Sequence, residues 1–191
     1  MRRDLSNDWN RFGGGPDLAD RQPMEQAVAT RFAPAERATQ AEVTRQHLLV
    51  RGQSLVRRFP DTIPNMTVVL NRHRQIVHAN RSFLSFVRTN DPEKIIGLRP
   101  GEVVGCIHSG AASGGCGTTR FCRTCGGARA IHDSKCGMIA EEECRVTRGH
   151  HGSVDALDLR VWSSPIDVGG EVDFTSRFGE GTTFFIRVPI R

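Results

Sequence analysis

The sequence predicts an α+β fold: a five-stranded antiparallel sheet with short helices, preceded by an amphipathic helix. Three observations carry this reading. Residues 66–70 and 75–79 are β-rich runs separated by the polar stretch 71–74, the pattern of a hairpin. Segments 139–147, 156–166, 171–176 and 183–190 alternate apolar and polar residues as half-buried strands do. Between these two groups lie runs too short for long helices. Residues 81–87 read as a helix, and 92–96 read as another with Asp91 as its cap and Pro92 in its first turn. A third helix is predicted from Thr118 or Thr119 to about His132. Segment 171–176 follows the tight turn 167–170 and is expected to supply the fifth strand. Residues 183–190 are then expected as an added edge strand or a loose arm, since Arg187, Pro189 and Arg191 are residue types that blunt an exposed edge.

The chain has 191 residues, 38% hydrophobic and 25% charged, room for about one domain with an appendage. Residues 1–33 mix Gly13-Gly14-Gly15-Pro16 with scattered charges and read as a flexible leader. Residues 34–59 form the next unit. Thr39 and Glu42 have capping-box spacing, and Ala41, Leu48, Leu55 and Phe59 recur at a helical period until Pro60. That helix either packs on the following domain or serves as a dimerising signalling helix. Residues 60–170 form the main domain and 171–191 a terminal hairpin.

The absence of an apolar run near 18 residues, and of a secretory apolar stretch at the amino terminus, points to a cytoplasmic protein without a membrane span. Basic residues number 26 against 21 acidic, a net charge of +5. Only Lys94 and Lys135 are lysines. The arginines are spread along the chain among acidic residues, so no stripe suited to consecutive phosphates exists and nucleic acid is not an expected partner.

The six cysteines hold the chemistry. Cys106, Cys116, Cys122 and Cys125 follow the spacing C-x9-C-x5-C-x2-C across a Gly-rich loop that opens a helix. Cys122 and Cys125 stand at i and i+3, so both sulfurs can face one way while the loop folds the other two over them. Four thiolates suit Zn²⁺ or an iron–sulfur cluster, with Arg120 and Arg123 beside them and His108 as a possible replacement ligand. A thiol–disulfide switch and inert structural thiols are the alternatives in a reducing compartment. Cys144 falls in a strand and reads as a small buried hydrophobe, whereas Cys136 reads as a spare thiol.

Residues 60 to about 168 resemble the PAS sensor domain of bacterial sensor histidine kinases, in a cysteine-bearing type. The segments that carry the likeness are 68–80, 97–102, 115–119, 121–126, 142–145 and 157–161. Residues 172–189 are similar to the closing hairpin of a histidine-kinase ATP-binding domain, whose Gly-x-Gly-Thr-x-Phe turn corresponds to residues 179–184. The resemblance implies a sensor or regulatory module of two-component signal transduction. It would sense redox state, oxygen or metal through the four cysteines, with a homodimer or a partner histidine kinase receiving the signal. The alternatives are a sensor histidine kinase acting on ATP, or a kinase remnant without a task. Kinase chemistry needs a phospho-acceptor His with an acidic neighbour, an Mg²⁺-binding Asn and Gly-rich phosphate loops. His47 precedes Leu48-Leu49, His78 precedes Ala79-Asn80, and His150-His151 lies in a Gly-flanked turn; no D-x-G-x-G occurs. ATP is therefore not an expected ligand, and no catalytic residue is assigned.

Overall fold

The computed structural model describes residues 29–53, 64–150, 153–166 and 182–187. Leu55 and Phe59 of the expected helix, the expected strand 171–176 and residues 179–181 of the turn 179–184 lie outside them.

Helix α1 spans Gln40–Gly52, with the Thr39 side chain capping it by accepting the Glu42 N–H at 3.3 Å. The Glu42 carboxylate does not return to the cap, because it accepts from Arg45 and Gln46 one turn on. The buried face is Val43, His47 and Val50, not the predicted one: Ala41 is exposed and Leu48 is 60% exposed. A hydrogen bond decides the rotation. His47 Nδ1 lies 2.7 Å from the Val77 carbonyl oxygen, which docks the helix on the sheet and leaves Leu48 outside.

Strands β1 (Met66–Leu70) and β2 (Ile76–Ala79) form the expected hairpin. The Asn71 side chain shapes its turn by accepting the N–H groups of His73 and Gln75 at 2.9 and 3.0 Å. Arg74 takes a positive φ of 66° there. Helix α2 (Arg81–Phe86) follows at once, capped by Asn80. The Asn80 carboxamide, fully buried, accepts from Phe83 N and Thr67 N at 3.0 and 2.9 Å and donates to the Asn65 carbonyl at 2.8 Å. An Asn80→Ala change strips the cap and leaves buried backbone groups unpaired. It should lower the unfolding free energy by about 2 kcal/mol, which a urea titration would measure. A 3₁₀ turn at Pro92–Lys94 is capped by Asp91, and α3 (Pro100–Val103) is a single turn. The helix expected from about 118 to 132 divides into a 3₁₀ turn, Arg120–Arg123, and helix α4, Gly126–Lys135, which starts two residues after it.

Strands β3 (Ala140–His150) and β4 (Ser153–Pro165) form a long hairpin, and β5 is Thr182–Arg187. The antiparallel sheet runs in the order β2-β1-β5-β4-β3. This corrects the expectation for residues 183–190. β5 is neither an edge strand nor an arm, since Thr67 faces Phe185 on one side and Trp162 faces Phe185 on the other. The physical reason is the backbone. The open edges of β1 and β4 are both satisfied by one strand between them, whereas a strand added outside would leave those two edges unpaired.

The main core lies between the sheet and the helices that cross it. Phe83, Leu70, Ile76, Val68 and Val161 are buried there with Ala130 and Ile131 of α4 and Cys144 of β3. α4 is fixed to the hairpin at both ends. Arg129 pairs with Glu142 at 2.6 Å, and the hydroxyls of Ser134 and Ser163 share a hydrogen bond in the interior.

Candidate functional site

A cavity of about 200 Å³ lies between α4, the Gly-rich loop and the inner face of β3 and β4. Its walls are mainly apolar, formed by Val104, Ile131, Val146, Leu159 and Val161. Five cysteines line it: Cys106, Cys116, Cys122 and Cys125 from the loop, and Cys144 from β3. The loop cysteines therefore converge on one space, and a fifth, read from sequence as a filler of the core, joins them. Cys136 ends α4 on the exposed surface.

Each loop sulfur reaches the cavity for a local reason. Cys106 precedes the 3₁₀ turn Ile107–Ser109 and bridges to Arg148 at the end of the hairpin. Cys116 packs on Gly101, where a Cβ would stand 2.6 Å from the sulfur, so only glycine lets α3 approach so closely. Cys122 is buried and shares a hydrogen bond of 3.3 Å with the Thr119 hydroxyl. Cys125 is the N-cap residue of α4.

The sulfurs of Cys125 and Cys144 lie 3.6 Å apart. The two thiols share a hydrogen bond in which either sulfur can be the donor. That hydrogen bond holds the Cys125 thiol below its ordinary range against the opposing effect of burial, and the Ala128 and Gly127 N–H groups at the start of α4 add to it. The same bond, together with burial, pushes Cys144 well above the ordinary thiol range. Burial also raises Cys106, and it pushes Cys116 up to about 12.

Among the described residues, no group of three or more His, Cys, Asp and Glu side chains is arranged to hold a metal ion. Cys106, Cys116, Cys122 and Cys125 share the cavity wall without forming such a group. The His108 ring is stacked on Phe121 with centroids 4.1 Å apart. Both rings border the cavity, and Phe121 is 42% exposed.

The loop is held by two residues that sequence reasoning passed over. Arg99, 0% exposed, donates from its guanidinium to five carbonyls: His73 at 3.1 Å, Gly114 at 2.7 Å, Cys116 at 3.1 Å, Ala35 at 3.0 Å and Glu36 at 2.8 Å. Burial lowers its pKa to about 10, with Arg74 and Arg37 acting in the same direction, so it remains charged at neutral pH. Glu102 accepts from the backbone N–H groups of Arg99 at 2.9 Å and Cys116 at 3.2 Å, and it pairs with Arg37. Pro100 in the first turn and Glu102 two residues later are the local signal for this box. The segment before α1 is tied in as well. Arg31 N and Ala33 N, assigned from sequence to the flexible leader, donate to the carbonyls of Thr118 and Gly117 at 2.8 and 3.0 Å.

Glu102 makes the loop pH-sensitive. Burial raises its pKa, but the Arg99 N–H, the Arg37 guanidinium and the Cys116 N–H outweigh it and hold the carboxyl below its ordinary value of 4.5. A depressed carboxyl adds stability above its unfolded pKa and loses it as pH falls through the folded one. Stability should therefore drop below pH 4.5 more steeply in the native sequence than in Glu102→Gln. Urea titrations of both proteins between pH 7 and 3 would show the difference, and parallel curves would contradict it.

No family model and no curated relative matches the chain. Among solved structures, it is similar to the PAS domain of Bordetella pertussis BvgS, with 14% identity and a TM-score of 0.42 over 72% of this chain and 84% of that one. The PAS domain of nitrogen regulation protein NR(II) from Vibrio parahaemolyticus matches at 14% identity and a TM-score of 0.45, over 69% and 94%. A PAS domain of a protein from Colwellia psychrerythraea gives 15% and 0.44, over 68% and 90%. The chain itself combines short helices with an antiparallel sheet in the order β2-β1-β5-β4-β3. No helix among the described residues is long and apolar enough to cross a membrane.

Proposed function

We propose that the chain is a PAS-type sensory module of two-component signalling whose cysteine-lined cavity is its sensing site, and that the signal it reads is redox state. The observation that supports this most is the convergence of five cysteines on one small cavity against β3 and β4, with two sulfurs 3.6 Å apart. Oxidation at such a wall changes charge and bonding where the helix rests on the sheet. The sheet provides the outlet, since β3 pairs with β4 and β4 with β5, so strain at Cys144 reaches the middle strand through two ladders. A second copy or a partner histidine kinase is the proposed recipient of that shift.

Zinc or an iron–sulfur cluster on Cys106, Cys116, Cys122 and Cys125 is the metal-loaded form of the same proposal. Contact between the Cys125 and Cys144 sulfurs is the observation that favours thiol chemistry over a single ion.

Amide hydrogen exchange of the full chain, reduced and then treated with dilute hydrogen peroxide, tests the redox reading. Exchange in α4, β3 and β4 should change on oxidation and return with a dithiol reductant. Identical exchange in both states would refute it. Metal analysis of anaerobically isolated protein accompanies the experiment. One zinc, or one cluster, per chain that disappears in Cys122→Ser would establish the metal-loaded form.

A further inference from the structure

We propose that Cys125 and Cys144 are a reactive and a resolving thiol, whose substrate is a small hydroperoxide and whose product is a disulfide joining the start of α4 to β3. The proposal rests on the redox reading given above and names the atoms that carry it. The two sulfurs are in direct contact, at 3.6 Å. A disulfide needs about 2.05 Å, so the sulfurs must close by about 1.5 Å. The backbones are already close. A Cβ on Gly126 would stand 2.1 Å from the Glu143 carbonyl oxygen, so the residues following Cys125 and preceding Cys144 touch along the main chain.

Accessibility separates the two roles. Both line the cavity, but Cys125 is partly exposed whereas Cys144 is 4% exposed and belongs to the core. Of the two, Cys125 is the sulfur more open to a peroxide that reaches the cavity. The Cys125 sulfur attacks one peroxide oxygen; an S–O bond forms, the O–O bond breaks, and the alkoxide or hydroxide leaves and takes up a proton. Sulfur loses two electrons and the peroxide gains them, leaving a sulfenic acid. The Cys144 sulfur then attacks the Cys125 sulfur; the S–S bond forms, the S–O bond breaks, and hydroxide departs with the Cys144 proton as water. A dithiol reductant reverses the cycle.

The linkage would fasten α4 to the edge of the sheet at a second point, beyond the Arg129–Glu142 ion pair. Cys136, exposed at the far end of α4, takes no part.

Peptide mapping of the full-length chain tests the proposal, in a Cys136→Ser background because trypsin leaves residues 136 and 144 on one peptide. After hydrogen peroxide and digestion without reductant, peptide 124–129 should appear joined to peptide 136–145, lighter by two hydrogen atoms than their sum, and dithiothreitol should remove the product. In Cys144→Ser the link should be lost and Cys125 should become labelled by a cyclic diketone that traps sulfenic acid. Links among Cys106, Cys116 and Cys122 with Cys125 left reduced would overturn this pair while leaving the redox reading of the cavity intact. Cavity thiols that all stay reduced, with unchanged hydrogen exchange, would overturn both.

Discussion

Arg99→Ala should lower the unfolding free energy by about 4 kcal/mol, the largest effect expected of any single side chain in the loop. Its guanidinium, 0% exposed, satisfies carbonyls from three separate stretches: Ala35 and Glu36 before α1, His73 in the β1–β2 turn, and Gly114 and Cys116 in the cysteine loop. Truncation leaves these five acceptors without their donor in a space too enclosed for easy solvation, and each buried unmade bond costs of order 1 kcal/mol or more. It also leaves Glu102 without a nearby positive charge that favours its ionised form, although Arg37 remains. Arg99→Lys should recover little, because one ammonium with three donors cannot span a fan of five carbonyls. Chemical denaturation gives the free energy. A loss under 1 kcal/mol for Arg99→Ala would mean that the loop is held by something else. Because domain stabilities are commonly 5–15 kcal/mol, a loss of this size removes a large part of the whole.

Gly126→Ala should cost about 3 kcal/mol by overpacking and should also abolish the Cys125–Cys144 crosslink. The added Cβ would meet the Glu143 carbonyl oxygen at 2.1 Å and its carbon at 2.8 Å. These are backbone atoms of β3, which cannot swing aside as a side-chain end can. The start of α4 must therefore lift from the strand, carrying Cys125 away from Cys144. Gly127→Ala is the matched control. Its nearest neighbour would be Cys144 Sγ at 3.4 Å, an approach that a small adjustment relieves. The two variants share chemistry and differ by one position, so equal crosslinking in both would show that α4 is not held against β3 in the way described. Denaturation and the peroxide mapping experiment read the two effects separately.

How much of the site was legible follows from the range of each signal. The four loop cysteines could be grouped from sequence because they lie within 20 residues and because Cys122 and Cys125 bracket a helix start. Cys144 could not be. It is 19 residues from Cys125, and its strand gives the same apolar–polar alternation whether its sulfur meets a partner or an aliphatic wall. Arg99 reads as one arginine among 24, and its acceptors lie up to 64 residues away. His108 offered a donor at ligand spacing, but its stacking on Phe121 depends on a residue 13 positions away that spacing could not single out.

The sequence alone determined what is settled within a few residues: the Asp91 and Thr39 caps, the turn between β1 and β2, the short helix after Asn80, and a cysteine at the mouth of a Gly-rich loop. These depend on hydrogen bonds that close between near neighbours and on residue types that favour them. Tertiary structure alone decided which face of α1 is buried, where residues 182–187 pair, and which sulfur stands against Cys125. Each is a choice among locally equivalent options. A helix face, a strand edge and a buried thiol look the same from within their own segment, and only the partner brought up by the rest of the chain distinguishes them.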